Sequence, residues 1–308
     1  MTAPFADRLA ALVEERRSQV CLGLDPDPSA LGPEAGSEAS GEEPAERAAS
    51  AVADHCRELI ERAGPACVAA KPQLACFERL GAPGWAALRS TVAAAREAGL
   101  VVVADGKRGD VPVTAAVYAE ALVGETPTPW GTVAGLGADA FTVNPLLGGD
   151  SLEPLIAAAA EAGAGVFALV RTSNPGARDL LDLPTTGETA GEGRGHEAPV
   201  PLHELIARLV AERADRLEGA RGLSGMGAVV GATEPAFLAR LRELMPKAIF
   251  LVPGVGAQGG RVSDLGPAFA DHPASVLVAA SRSIASADDP AAAAEALRAD
   301  AWELRGTG

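Results

Sequence analysis

Two carboxylates and a lysine share the run Asp105-Gly-Lys107-Arg-Gly-Asp110, and a second lysine stands alone in Ala70-Lys71-Pro72. On extended chain, residues two apart face the same side, so Asp105 and Lys107 present a carboxylate and an ammonium together. Asp110, five residues past Asp105 and beyond Gly109, need not share that side. Of the 26 Lys and Arg residues only three are lysines, at positions 71, 107 and 247. An ammonium can donate a proton and shift its pKa, whereas a guanidinium effectively cannot, so Lys71 and Lys107 suit roles that Arg could not fill. Three readings fit the cluster. It could be a structural ion-pair network, which is a weak route to stability. It could hold a Schiff-base lysine. Or it could be a charged reaction site where an ammonium stabilises developing negative charge and then protonates it.

A second group of residues suits an anion. Pro253-Gly-Val-Gly-Ala-Gln258-Gly259-Gly260 is a glycine-rich turn whose backbone N–H groups can approach an anion closely, and Ser281-Arg282 follows downstream. Such glycines can also serve only a tight turn. Gln258 and Arg282 favour phosphate, which a planar guanidinium binds in bidentate fashion.

These residues need a scaffold that brings them together. Short apolar runs recur at 20–24, 67–70, 101–104, 140–143, 166–170, 228–230, 249–252 and 276–278, separated by Ala/Leu segments of helical period. Thr233 with Pro235, Ser151, and Asp289 before Pro290 read as helix starts. Eight such units predict a single (β/α)8 TIM barrel spanning 1–308, with a doubly wound open sheet as the structural rival. Phe5, Leu9, Leu12 and Val13 share one face of an N-terminal capping helix. In such barrels the site lies at the C-terminal strand ends. Those ends carry Asp25, Lys71, Asp105 with Lys107 and Asp110, Asn144, Arg171 to Asn174, the glycine-rich turn, and Ser281 with Arg282. Lys247 precedes the seventh strand and reads as a solvated surface residue. Two Gly/Glu/Pro-rich stretches, about 32–46 and 184–201, interrupt the rhythm and read as surface insertions, the second as disordered.

Composition narrows the partners. A net charge of −15 disfavours nucleic acid and anionic membranes, and an anionic ligand must be met by local positive charge. No segment approaches the roughly 20 apolar residues of a membrane span, and the charged N-terminus lacks the apolar stretch of a signal peptide, so the expected location is cytoplasmic. Cys21, Cys56, Cys67 and Cys76 form no CxxC pair and read as reduced, mostly buried thiols; neither a metal nor an organic cofactor is expected.

The set Gly23-Leu-Asp25-Pro, Ala70-Lys71-Pro, Asp105-Gly-Lys107-Arg-Gly-Asp110, Thr172-Ser-Asn-Pro175-Gly, Pro253 to Gly260 and Ser281-Arg282-Ser-Ile resembles orotidine 5'-phosphate decarboxylases of the larger bacterial branch, in order from about residue 20 to 284. The resemblance implies cofactor-free conversion of orotidine 5'-monophosphate to UMP and CO2, in the last step of pyrimidine nucleotide synthesis. By matched position, Lys71, Asp105, Lys107 and Asp110 form the catalytic array. Lys107 is the proton donor to C6, and Asp110 reaches the neighbouring subunit's site, which implies a homodimer. Asp25 holds one ribose hydroxyl, Thr114 another, Ser173 the pyrimidine edge, and Gln258, Gly259 and Arg282 the phosphate. The sequence departs from compact members in its two insertions and at Ser281, where a smaller residue is usual. D-x-K-x-x-D alone is shared with metal-dependent sugar-phosphate decarboxylases and synthases. That relative, and a non-catalytic nucleotide-binding barrel, are the alternatives.

Overall fold

The computed structural model describes residues 3–32, 43–185, 199–256 and 259–304. Its centre is a closed barrel of parallel strands in chain order: β1 (Val20–Leu24), β2 (Ala69–Pro72), β3 (Val101–Arg108), β4 (Ala140–Val143), β5 (Gly165–Arg171), β6 (Ser224–Val230), β7 (Ala248–Val252) and β8 (Val276–Ala280). The circle closes through β8 on β1, with Val20 opposite Val278 and Leu22 opposite Ala280. That closing pair excludes the open-sheet rival. The sequence locates all eight strands and sets several of them a few residues short.

Buried parallel strands are apolar on both faces, because one side meets helices and the other fills the barrel. In β1, Val20, Leu22 and Leu24 join the outer core while Cys21 joins the inner one. The outer layer comprises α2 (Pro44–Ala63), α3 (Leu74–Glu78), α4 (Gly81–Glu97), α5 (Pro112–Leu122), α6 (Gly149–Ala162), α7 (Leu202–Ala211), α8 (Ala236–Leu244), α9 (Arg282–Ala285) and α10 (Pro290–Glu303).

Helix α1 (Phe5–Arg16) closes the barrel floor. Phe5, Leu9 and Val13 are buried in the inner core and Leu12 is partly buried against it. Phe5 meets Phe167 edge to face at 5.9 Å between ring centroids. A Cβ at Gly165 would come within 2.5 Å of the Phe5 ring, so glycine there makes the close approach possible. The polar side of α1 stitches the turns that enter β2 to β6. Arg16 donates to the carbonyls of Gly64, Cys67, Ala98 and Gly99. Arg8 pairs with Asp139 and donates to the Gly163 carbonyl. Asp7 accepts from the backbone N–H groups of Ala220 and Arg221.

Several local expectations need correction. Helix α2 begins at Pro44, inside the first expected insertion. The second is pinned at its ends by an antiparallel pair, Pro184–Thr185 with Val200–Pro201. Residues 33–42 and 186–198, and with them most of the disorder expected for 184–201, lie outside the described residues. Asp289 caps α10 through Ala291 and Ala292. Ser151 instead sits in the first turn of α6 and donates to the Gly148 carbonyl, and Thr233 donates to the Ser173 carbonyl rather than capping α8. An unexpected hairpin, Glu125–Thr128 with Gly131–Ala134, projects between α5 and β4. Lys247 is a surface residue, ion-paired to Asp215 and Glu218. Cys21, Cys56 and Cys67 are buried free thiols and Cys76 is partly buried. Among the described residues no helix is long and apolar enough to cross a membrane.

Candidate active site

The site is built on an irregularity in β3. Its pairing with β4 runs Val103 to Ala140 and Ala104 to Phe141, then resumes only at Arg108 to Val143. Asp105, Gly106 and Lys107 therefore arch over Thr142, a bulge of the kind that re-aims side chains at barrel rims. Lys107 takes the left-handed conformation, φ 48°. That backbone costs a non-glycine residue about 1–2 kcal/mol and marks a position held by its surroundings. The turn brings Lys107 Nζ to 2.7 Å from Asp105 Oδ1. From β2, Lys71 Nζ reaches Asp105 Oδ2 at 2.6 Å. Thr142 Oγ1 donates to Asp105 Oδ1 at 2.8 Å. The Gln73 amide lies against the same group: with its oxygen 3.3 Å from Lys107 Nζ, its nitrogen reaches the Asp105 backbone carbonyl.

One buried carboxylate thus sits between two ammonium groups. Burial alone would push the Asp105 carboxyl up, but Lys71 and Lys107 outweigh it and hold the group well below the usual carboxylate range. Burial alone would push Lys71 down; Asp105, reinforced by Asp25, holds it above the ordinary lysine range. Asp105 is therefore an anion and Lys71 a cation at neutral pH. The two lysines differ in access. The Lys107 side chain is 42% exposed and that of Lys71 9%.

Around this trio the strand ends form the mouth. A cavity of about 100 Å³ joins Lys71 to Asp25 after β1, Gly254 after β7, and Ser281 and Arg282 after β8. The turn after β7 has positive φ at Gly254, Gly256 and Gly259, which only glycine adopts freely. Gln258 lies outside the described residues. Ser173, with Asn174, Arg178, Thr233 and Glu234, borders a second cavity of about 490 Å³ beyond β5. Arg171 also borders this cavity, where Asp182 holds its guanidinium through two bonds of 2.7 and 2.9 Å and it stacks on Phe237.

Two of the expected residues stand apart from the trio. The Asp110 carboxylate accepts from the Val111 backbone N–H at 2.8 Å, and Thr114 is exposed on α5. Within one chain the structure assembles Lys71, Asp105 and Lys107 and leaves Asp110 beside them. Sequence reasoning did not find Thr142, which reads as one more β-branched strand residue, nor the contacts of Gln73. Among the described residues, no group of three or more His, Cys, Asp or Glu side chains could hold a metal ion.

A family model for orotidine 5'-phosphate decarboxylase / HUMPS proteins matches residues 18–297. The chain belongs to this family. The orotidine 5'-phosphate decarboxylase of Deinococcus radiodurans is 40% identical over 308 residues, covering 99% of this chain and 98% of its own. That of Rhodopirellula baltica is 39% identical over 283 residues, covering 91% and 87%. The solved OMP decarboxylase of Leishmania donovani superposes with a TM-score of 0.71 at 34% identity, over 98% of this chain and 99% of that one. The match to the orotidine 5'-phosphate decarboxylase family takes in every barrel strand.

Proposed function

We propose that the chain decarboxylates orotidine 5'-monophosphate to UMP and CO2, as the decarboxylase names of its full-length relatives indicate. The observation that carries the reading is the Lys71–Asp105–Lys107 array at the barrel mouth. Breaking the bond from C6 to the carboxylate leaves an electron pair in the plane of the pyrimidine ring, where the ring carbonyls cannot delocalise it. A fixed cation must stabilise it. Lys107 suits this role: it is accessible, already paired to an anion, and carries the proton that C6 takes up as CO2 departs. Asp105 then faces the substrate carboxylate, and that repulsion is relieved as CO2 leaves. Lys71 keeps Asp105 ionised throughout.

In this reading Arg282, Gln258 and Gly259 hold the phosphate, Asp25 and Thr114 the ribose, and Ser173 the pyrimidine edge. Phosphate contacts far from C6 supply binding energy that orders the site, part of the about 8–23 kcal/mol that enzymes remove from barriers. The whole chain acts as one catalytic domain, and the location is cytoplasmic.

The active form is a homodimer in which Asp110 enters the partner's site. Support comes from exposed apolar side chains between β3 and α6. Val113 and Val117 on α5 are 81% and 57% exposed, Trp130 at the hairpin tip 93%, and Leu146 after β4 54%. Exposed large apolar side chains mark interaction surfaces, and Val113 stands three residues past Asp110.

The test follows orotidine 5'-monophosphate absorbance with purified protein, before and after EDTA. Loss of the orotate signal with formation of UMP in both samples is the expected result. No turnover, or turnover only with added metal, would favour the sugar-phosphate relatives.

A further inference from the structure

Thr142 stands at the junction of the two groups that matter most and has no role in the reaction as written. It is 1% exposed, in mid-strand on β4, opposite the β3 bulge. Its hydroxyl makes two bonds of opposite sense. It accepts from the Lys107 backbone N–H at 2.9 Å and donates to Asp105 Oδ1 at 2.8 Å. A hydroxyl has one proton, so accepting from Lys107 leaves that proton for Asp105. Where the ladder between β3 and β4 lapses, this side chain replaces the missing backbone partner, and the bond it gives Lys107 fastens a residue in the left-handed conformation. Fixing Lys107 φ fixes where its side chain starts; fixing Asp105 Oδ1 fixes where the ammonium ends.

We infer that Thr142 is a positioning residue that holds the acid and the proton donor of the array in one geometry. This rests on the decarboxylase reading for its effect on turnover, but not for its effect on Lys107. A group misplaced by about 1 Å can cost about a hundredfold in rate, so the hydroxyl matters beyond the bonds it makes. Valine has nearly the same shape without the hydroxyl, and serine keeps the hydroxyl without the methyl.

The test uses the small number of lysines. Protein labelled with 15N-lysine yields three backbone amide signals, from Lys71, Lys107 and Lys247. In Thr142→Val, the Lys107 amide is expected to exchange with solvent about tenfold faster, the loss of one hydrogen bond, while Lys247 is unchanged. The kcat for orotidine 5'-monophosphate is expected to fall about 10- to 100-fold with KM and UMP affinity near the wild-type values. Thr142→Ser should restore both readouts. An unchanged Lys107 amide in Thr142→Val overturns the inference whether or not the protein turns over. Faster exchange with undiminished kcat overturns the positioning role, as does a loss that tracks KM or that serine fails to rescue. If exchange responds as expected but the wild type lacks decarboxylase activity, the link from Thr142 to Lys107 stands and the decarboxylase reading falls.

Discussion

Lys107 Nζ lies 2.7 Å from Asp105 Oδ1 although the two residues are separated only by Gly106. The left-handed backbone at Lys107 folds the donor onto its own strand's acid. The ammonium is thereby oriented before any substrate arrives, so its placement needs no reorganisation during the reaction.

Removing this ammonium tests its role directly. Lys107→Ala is expected to lower decarboxylation by at least about a thousandfold, consistent with losing both a proton donor and a fixed charge. UMP should still bind, because Arg282 and the glycine-rich turn are untouched. Calorimetric titration with UMP, alongside the absorbance assay, checks both parts, and near-normal turnover would remove Lys107 as the donor.

The position of Asp110 beside the trio predicts complementation. Asp110→Ala and Lys107→Ala homodimers should each be inactive, while mixed dimers regain activity through a site that draws an intact Asp110 from one chain and an intact Lys107 from the other. Random exchange of subunits should restore about a quarter of wild-type activity, one intact site in half of the dimers. Lack of recovery despite subunit exchange, followed by native mass spectrometry, would argue against a shared site.

The exposed apolar face predicts that assembly depends on the hairpin and α5. Val113→Glu with Trp130→Glu should shift sedimentation toward monomer and lower activity with it, while circular dichroism keeps the barrel signal. Unaltered sedimentation would assign the face to some other use.

The buried pair predicts how stability responds to acid. Asp105 has a lowered pKa in the folded protein, so its contribution is fully present above the ordinary Asp value near 3.9 and is lost only as pH falls through the folded value below it. In Lys71→Met, burial remains while the chief compensating charge is gone, so the Asp105 pKa rises. The variant should be less stable by about 3 kcal/mol at pH 8, and the deficit should narrow toward pH 5 as the carboxyl takes up a proton. Urea denaturation across that range measures it. A deficit independent of pH would mean that Lys71 acts through packing alone.

The barrel was legible because strands covered on both faces leave apolar runs too regular to miss, and because polar residues recurring at the ends of such runs mark the barrel mouth. Extended spacing puts Asp105 and Lys107 on one side, but they meet because the left-handed backbone at Lys107 folds its side chain back, which spacing does not reveal. The hairpin at Glu125 to Ala134 was not legible: its strands are exposed and bury nothing, so they carry no apolar period. Thr142 was hidden for the opposite reason, since a buried threonine in a strand looks like core until the bulge opposite it is known. The partner of Arg171 was not legible either, since Asp182 closes on it from across the turn.

Helix α1 precedes the other described elements in the chain, yet its polar side is bonded to turns that follow much later, at Ala220 and Arg221 and, through Glu14, at His272. Its apolar face has no floor to close until most strands have been made. The helix must therefore wait through the making of most strands with Phe5, Leu9 and Val13 uncovered, and its docking belongs to the end of folding. The emerging chain then has a window in which a chaperone can hold it, and a nascent barrel without the later turns lacks partners that hold the helix in place.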